Sequence, residues 1–302
     1  MNAASGKIET MFPQTEDAIA GNGNGVLAFV SADRLLLPAL WHSRTGLMTL
    51  WDVHTGKLVG GVNFPPMSDE GSQTAAQLSL AADRGRVAAT QGGPYPVRVY
   101  TVPGLRLVRM IAPVRGQAVM NIALAADGRF LAARLDAYRV TLFNVSTGAV
   151  LGSIHWDFNR DTAPASALAI SPDDRFLAVG FENGGEVQVP SSDGTLKTVA
   201  SPWPMRPILI WPLSDGVAAG PPRALCGPQT QGVLDMVWTP DSHGVIFTDN
   251  RGTVVSCPLT GVAGTILLHR DRSAVQIPAI SPHGQRLAIG AGDQIMIMPR
   301  KR

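Results

Sequence analysis

The side chains able to do chemistry in this chain are few and scattered. Its six histidines are His42, His54, His155, His243, His269 and His283. No pair of them has the short i, i+3 or i, i+4 spacing of a metal-binding helix, and no HExxH, GxSxG, Walker or EF-hand pattern occurs. The glycine run Gly21 to Gly25 lacks a following Gly-Lys-Ser/Thr and leads into an apolar, strand-like stretch. It reads as a connector and not as a phosphate cradle. The carboxylates behave differently from catalytic ones. Asp33, Asp83, Asp127, Asp173 and Asp241 fall at one position of a recurring segment, and a residue that recurs with the architecture closes a turn in each copy. No catalytic residue, bound cofactor or metal is therefore expected. Cys226 and Cys257 lie thirty-one residues apart with no CxxC motif. Two cysteines in a chain of this size make no disulfide framework, so both are expected as reduced structural thiols.

The elements that must carry these residues follow from the repeat. The recurring segment begins at Ser31, Ala81, Ala125, Ser171, Thr239 and Ser281, at intervals of 50, 44, 46, 68 and 42 residues. Each copy is a short apolar stretch, a small residue, a polar turn that usually holds Asp, and a second apolar run. Asp bonds its own backbone in such turns and Pro presets φ, so the unit is strand, turn, strand. A second signature follows it. Leu50 to Gly60 (LWDVHTGKLVG) and Leu142 to Gly152 (LFNVSTGAVLG) align without a gap, with weaker relatives from Val99, Ile210 and Val255. It adds a third strand, a turn containing Gly, and usually a fourth strand. Four antiparallel strands repeated about every 40–50 residues make a propeller blade.

With Trp51-Asp52 closing the third strand, and Phe143-Asn144 and Trp211-Pro212 in the same slot, the chain resembles the WD-repeat family from about Val26 to Met298. No Gly-His dipeptide opens a repeat, which sets it apart from that family's usual pattern. The Ser-Pro-Asp turns also look like those of TolB-type propellers. The resemblance implies an all-β propeller that binds other proteins. Six four-stranded blades are expected over seven, in a single domain spanning residues 1–302. An insertion in the fourth blade, at about 184–207, is either a long loop or half of a seventh blade. The last repeat ends after its third strand, Gln294 to Met298, and the alternating segment Lys7 to Phe12 is expected to supply the missing outer strand.

Composition agrees. Apolar residues are 45% of the chain and charged ones 16%, with 32 Gly and 23 Pro, which suits a turn-rich β protein with a sizeable core. The formal charge of +2, from interspersed signs, leaves no nucleic-acid footprint. Neither a leader peptide nor a membrane span is visible, so a cytoplasmic location is expected, with no membrane partner. The loops between the second and third strands and between blades hold Trp41, Arg44, Tyr95, Arg115, Arg134, Tyr138, Trp156, Arg160, Trp203, Arg251 and Arg270. Arg, Trp and Tyr dominate interaction hot spots because they desolvate large areas at low entropic cost. These loops are expected to form one face that binds a partner protein, the chain acting as a non-catalytic scaffold and a subunit of a complex. The alternative is a propeller enzyme of lactonase or hydrolase type, with a cation in the central channel.

Overall fold

The computed structural model describes residues 28–300 apart from 32, 40–46, 53, 64–76, 82, 84, 91–93, 113–116, 137, 157–164, 182–185, 191–195, 201–207, 227–231, 250, 262, 270–274, 282 and 292–293. The six repeats fold as six small antiparallel sheets. Blade 1 is β1 (Ala28–Phe29), β2 (Arg34–Ala39), β3 (Leu47–Asp52) and β4 (Leu58–Asn63), hydrogen-bonded in that order. Blade 2 is β5 (Gln77–Leu80), β6 (Arg86–Thr90), β7 (Val97–Thr101) and β8 (Leu107–Ile111). Blade 3 is β9 (Asn121–Leu124), β10 (Phe130–Asp136), β11 (Arg139–Asn144) and β12 (Val150–His155).

Blade 4 starts with β13 (Ala165–Ile170) and β14 (Phe176–Phe181), after which the chain leaves the sheet. The insertion expected at about 184–207 lies at this point. It is a hairpin, β15 (Glu186–Pro190) with β16 (Leu196–Ala200), forming its own two-stranded sheet. The blade resumes with β17 (Ile208–Ser214), whose two ends pair with β18 (Val217–Ala218) and β19 (Arg223–Leu225). Blade 5 is β20 (Val233–Trp238), β21 (Gly244–Asp249), β22 (Thr253–Pro258) and β23 (Thr265–His269). Blade 6 shows three strands, β24 (Val275–Ile280), β25 (Arg286–Ala291) and β26 (Gln294–Pro299). The segment Lys7 to Phe12, expected as the outer strand of this blade, lies outside the described residues.

The first strand of each blade is innermost. β1, β5, β9, β13, β20 and β24 each touch the next, and β24 touches β1, which closes the ring. The core lies between blades, where the sheets pack face to face. One cluster joins Phe130, Val140, Leu142 and Ile154 of blade 3 to Leu177, Val179 and Trp211 of blade 4. Another joins Ile208 and Ile210 of blade 4 to Val233, Met236 and Phe247 of blade 5. Small residues set the spacing. A Cβ built on Gly180 in β14 would come within 2.5 Å of Met236 Cε and 2.7 Å of Val233 Cγ1 across the blade 4–5 seam.

An up-and-down blade sends its strand 1–2 and strand 3–4 turns to one face, here called lower, and its other connections to the upper face. The lower turns are built as the repeated Asp suggests. Asp83, Asp127, Asp173 and Asp241 each accept, through Oδ1, the amide two residues on, at 2.7, 2.8, 3.2 and 3.1 Å. Asp52 and Asn144, the second residues of the WD-like pairs, do the same in the strand 3–4 turns. Asp52 Oδ1 accepts from the His54 and Thr55 amides at 3.0 and 2.8 Å, and Asn144 Oδ1 from Ser146 and Thr147 at 2.9 and 3.0 Å. The Thr55 amide is the main reason that the Asp52 carboxyl drops to a pKa of about 2.

The fourth residue of the strand 1–2 turn is left-handed in four blades: Gly128 (φ 68°), Asp174 (59°), Ser242 (59°) and Gly284 (67°). Glycine takes this conformation freely, whereas Asp and Ser do so at a cost. Both non-glycine residues have a bond that offsets it. Asp174 Oδ1 accepts the Ala126 amide of blade 3 at 2.5 Å, and Ser242 Oγ accepts the Asp173 amide of blade 4 at 3.1 Å. On the other side of blade 3, Ala126 O accepts the Asp83 amide and Gly128 O accepts Arg86 Nη1, at 2.9 and 2.8 Å. The Arg86 side chain lies so close that a Cβ on Gly128 would stand 2.6 Å from its Cδ. From blade 2 to blade 5 the lower turns are thus bonded each to the next.

The cysteines depart from expectation. Cys226, just after β19, and Cys257, in β22, are joined as a disulfide with their Cα atoms 5.7 Å apart. A separation of thirty-one residues along the chain says nothing of proximity in space; the ring brings the outer strand of blade 4 against the third strand of blade 5.

Candidate interaction faces

Each upper-face residue is placed by the strand it adjoins. Trp41, Arg44, Arg115, Arg160, Trp203 and Arg270 lie outside the described residues. Tyr95 is half-buried two residues before β7, and Arg251 is exposed in the turn between β21 and β22. That turn is fixed by Asp249, whose Oδ1 accepts the Arg251 and Thr253 amides at 3.0 and 2.7 Å.

Arg134, Tyr138 and Trp156 come together at the upper end of blade 3. Tyr138 is half-buried in the turn between β10 and β11, its amide donating to Asp136 Oδ1 at 2.9 Å and its carbonyl accepting the Trp156 amide at 3.3 Å. Burial raises the Tyr138 phenol above its ordinary pKa. Arg134 and Trp156 are not the exposed loop side chains that the sequence suggests. Arg134 is 7% exposed, because β10 continues to Asp136 and carries it inside, and its Nε donates to Asn121 Oδ1 at 2.7 Å. Trp156 is 9% exposed, wedged between blades with its ring edge-on to Phe181 at 5.5 Å and tilted against Trp211 at 6.1 Å. Both act as interior groups of the blade 3–4 region.

The two faces differ in how their polar groups are satisfied. On the lower face, Asp83, Asp127, Asp173 and Asp241 bond amides of their own blade, Asp174 and Ser242 bond amides of the preceding blade, and Asp33 meets His54 Nε2 at 2.9 Å. Among the described residues, four buried side-chain atoms have no hydrogen-bond partner: Gln117 Oε1, Arg139 Nε, Trp156 Nε1 and Thr248 Oγ1. All four belong to upper connections or upper strand ends. Gln117 leads into β9, Arg139 opens β11 beside Asp136 (2.9 Å ion pair), Trp156 follows β12, and Thr248 nears the end of β21. No signal in the sequence marks these atoms, since each residue type is ordinary at a strand end.

The innermost strands hold one further group that sequence reasoning passed over. Asp235 in β20 stands opposite Thr248, next to a break in register, and its carboxylate accepts the Met236 amide at 2.7 Å. A small part of the residue stays accessible. The protein around the carboxyl nevertheless desolvates it and pushes its pKa up to about 7. Among the described residues, no group of three or more His, Cys, Asp or Glu could hold a metal ion, and no helix is long and apolar enough to cross a membrane.

No family model matches this chain, and no curated protein matches it. Solved structures match in large number, 1598 chains, which is the behaviour of a widely shared architecture. One is a chain of the "Crystal Structure of Mitotic Checkpoint Complex", with a TM-score of 0.58 and 16% identity over 95% of this chain and 90% of that one. At that identity the likeness is one of fold: the chain is a six-bladed β-propeller.

Proposed function

We propose that this propeller is a non-catalytic scaffold of WD-repeat type, a subunit of a complex that binds a partner protein through its upper face. The observation that carries the proposal is the asymmetry of polar satisfaction. A buried polar atom left unpaired costs roughly 1–3 kcal/mol, so native structures retain few and those few call for a reason. Here all four gather at the upper ends of the strands, beside the loops richest in Arg and aromatic residues, while the lower turns satisfy one another. A rigid ring that projects such loops from one side binds by a patch and needs no reacting group. The solved relative sits in a protein complex, which supports the same reading.

The test compares three tagged forms recovered from the source cell's lysate and analysed by mass spectrometry. The double variant Tyr95→Ala/Arg251→Ala alters the upper face, and Arg106→Ala/Arg129→Ala alters exposed lower positions. A partner held by the wild type and the lower variant, and lost from a folded upper variant, is the expected result. Loss from the lower variant alone, or no partner for any form, counts against the proposal.

A further inference from the structure

We infer that Cys226–Cys257 is a permanent structural staple across the blade 4–5 seam, and that the chain therefore folds and works where protein thiols are oxidised. The two sulfurs come from different blades, and their Cα separation of 5.7 Å lies within the span of a disulfide. Cys257 is fully buried and Cys226 is 8% exposed, both within the cluster that joins Ile208, Ile210 and Leu225 to Val233 and Phe247. The surroundings are shaped around the bridge. Gly264, beside β23, presses on it so closely that a Cβ there would lie 3.2 Å from both sulfurs and 2.5 Å from Val255 Cγ1. The same seam is tied by Ser166 Oγ donating to Val233 O, by Trp238 Nε1 donating to Ala169 O at 3.0 Å, and by Arg223 Nη1 donating to Leu259 O at 3.0 Å. Exchange requires a thiolate to reach a sulfur. A reductant meets this bridge only when the seam opens, which is the behaviour of a staple and not of a sensor cysteine, whose thiol is accessible.

Closure balances as thiol–disulfide exchange. A thiolate of one cysteine attacks the disulfide of an oxidoreductase or a small disulfide, and the second cysteine displaces it from the mixed disulfide. Two thiols lose two protons and two electrons, and the oxidant leaves as a dithiol if it is an oxidoreductase or as two thiols if it is a small disulfide. Disulfides persist in oxidising compartments, so the inference runs against the cytoplasmic location and the reduced thiols read from the sequence.

The experiment treats source cells with a membrane-permeant alkylating agent before lysis and measures the intact mass of the purified protein. The expected result is no alkylation even when the protein is denatured in the alkylating agent without reductant, with two alkyl groups added only after denaturation and reduction. In a parallel scan, reductant lowers the wild-type unfolding midpoint by about 5–10 °C and leaves Cys226→Ser/Cys257→Ser unchanged. Should the double variant not fold, the wild-type scan alone decides. Two thiols alkylated before reduction, or a wild-type midpoint insensitive to reductant, overturns the inference.

Discussion

Asp235 is a carboxylate that the innermost strand of blade 5 encloses with no cation beside it among the described groups, and its titration carries a sign that can be measured. Its folded pKa, about 7, lies above the ordinary value of 3.8, so between those values the folded chain holds a proton that the unfolded chain has released. Stability from this group is full below pH 4 and is lost as pH rises towards 7. Asp235→Asn keeps an oxygen for the Met236 amide and removes the titration. Thermal unfolding should show the variant more stable than the wild type at pH 8 and level with it near pH 4. A difference that does not change with pH would refute the assignment. Asp52 behaves in the opposite sense. Its lowered pKa makes its contribution present above about pH 4 and lost as pH falls towards 2, outside the window in which Asp235 acts.

At the scale of the element, blade spacing depends on residues with no side chain to offer. Gly180 on β14 faces Met236 and Val233 at distances that admit no methyl group. Gly180→Ala should cost about 1–3 kcal/mol through overpacking, read as a lower denaturant midpoint with an unchanged m-value. The strands and lower turns were legible in the sequence because they recur: apolar run, small residue, Asp, apolar run, with the Asp-to-amide bonds in the places the pattern implies. The left-handed turn position was legible only at Gly128 and Gly284. At Asp174 and Ser242 the residue type gives no hint, because what makes it tolerable is a bond to the neighbouring blade. The same limit explains Arg134 and Trp156. A polar or aromatic residue at a strand end reads as a loop residue until the strand's last rung and the adjoining sheet are known. The hairpin β15–β16 was visible as a lengthened interval, but its pairing was not.

For the whole molecule, mechanics turns on how the ring is held shut. β1 and β24 meet at the closure, and among the described residues β26 has β25 beside it and no strand on its outer side. The alternation Ile8, Thr10, Phe12 fits a strand laid on that edge, an arrangement that covers backbone groups otherwise free to pair with another molecule. Deleting residues 1–12 should produce concentration-dependent aggregation in light scattering and a lower unfolding midpoint. A monomer of unchanged stability would refute closure by this segment. The disulfide was beyond sequence reasoning because it belongs to this scale, where chain order has been converted into blade adjacency.

The lower turns also set a clock. The Ala126 amide of blade 3 is held by Asp174 of blade 4, and the Asp173 amide of blade 4 by Ser242 of blade 5. Each proton is guarded by the blade that follows its own. In deuterated solvent, the exchange of these amides reports the opening of the neighbour's turn and not the fraying of the strand that carries them. A disturbance at one blade is therefore recorded one blade earlier in the chain.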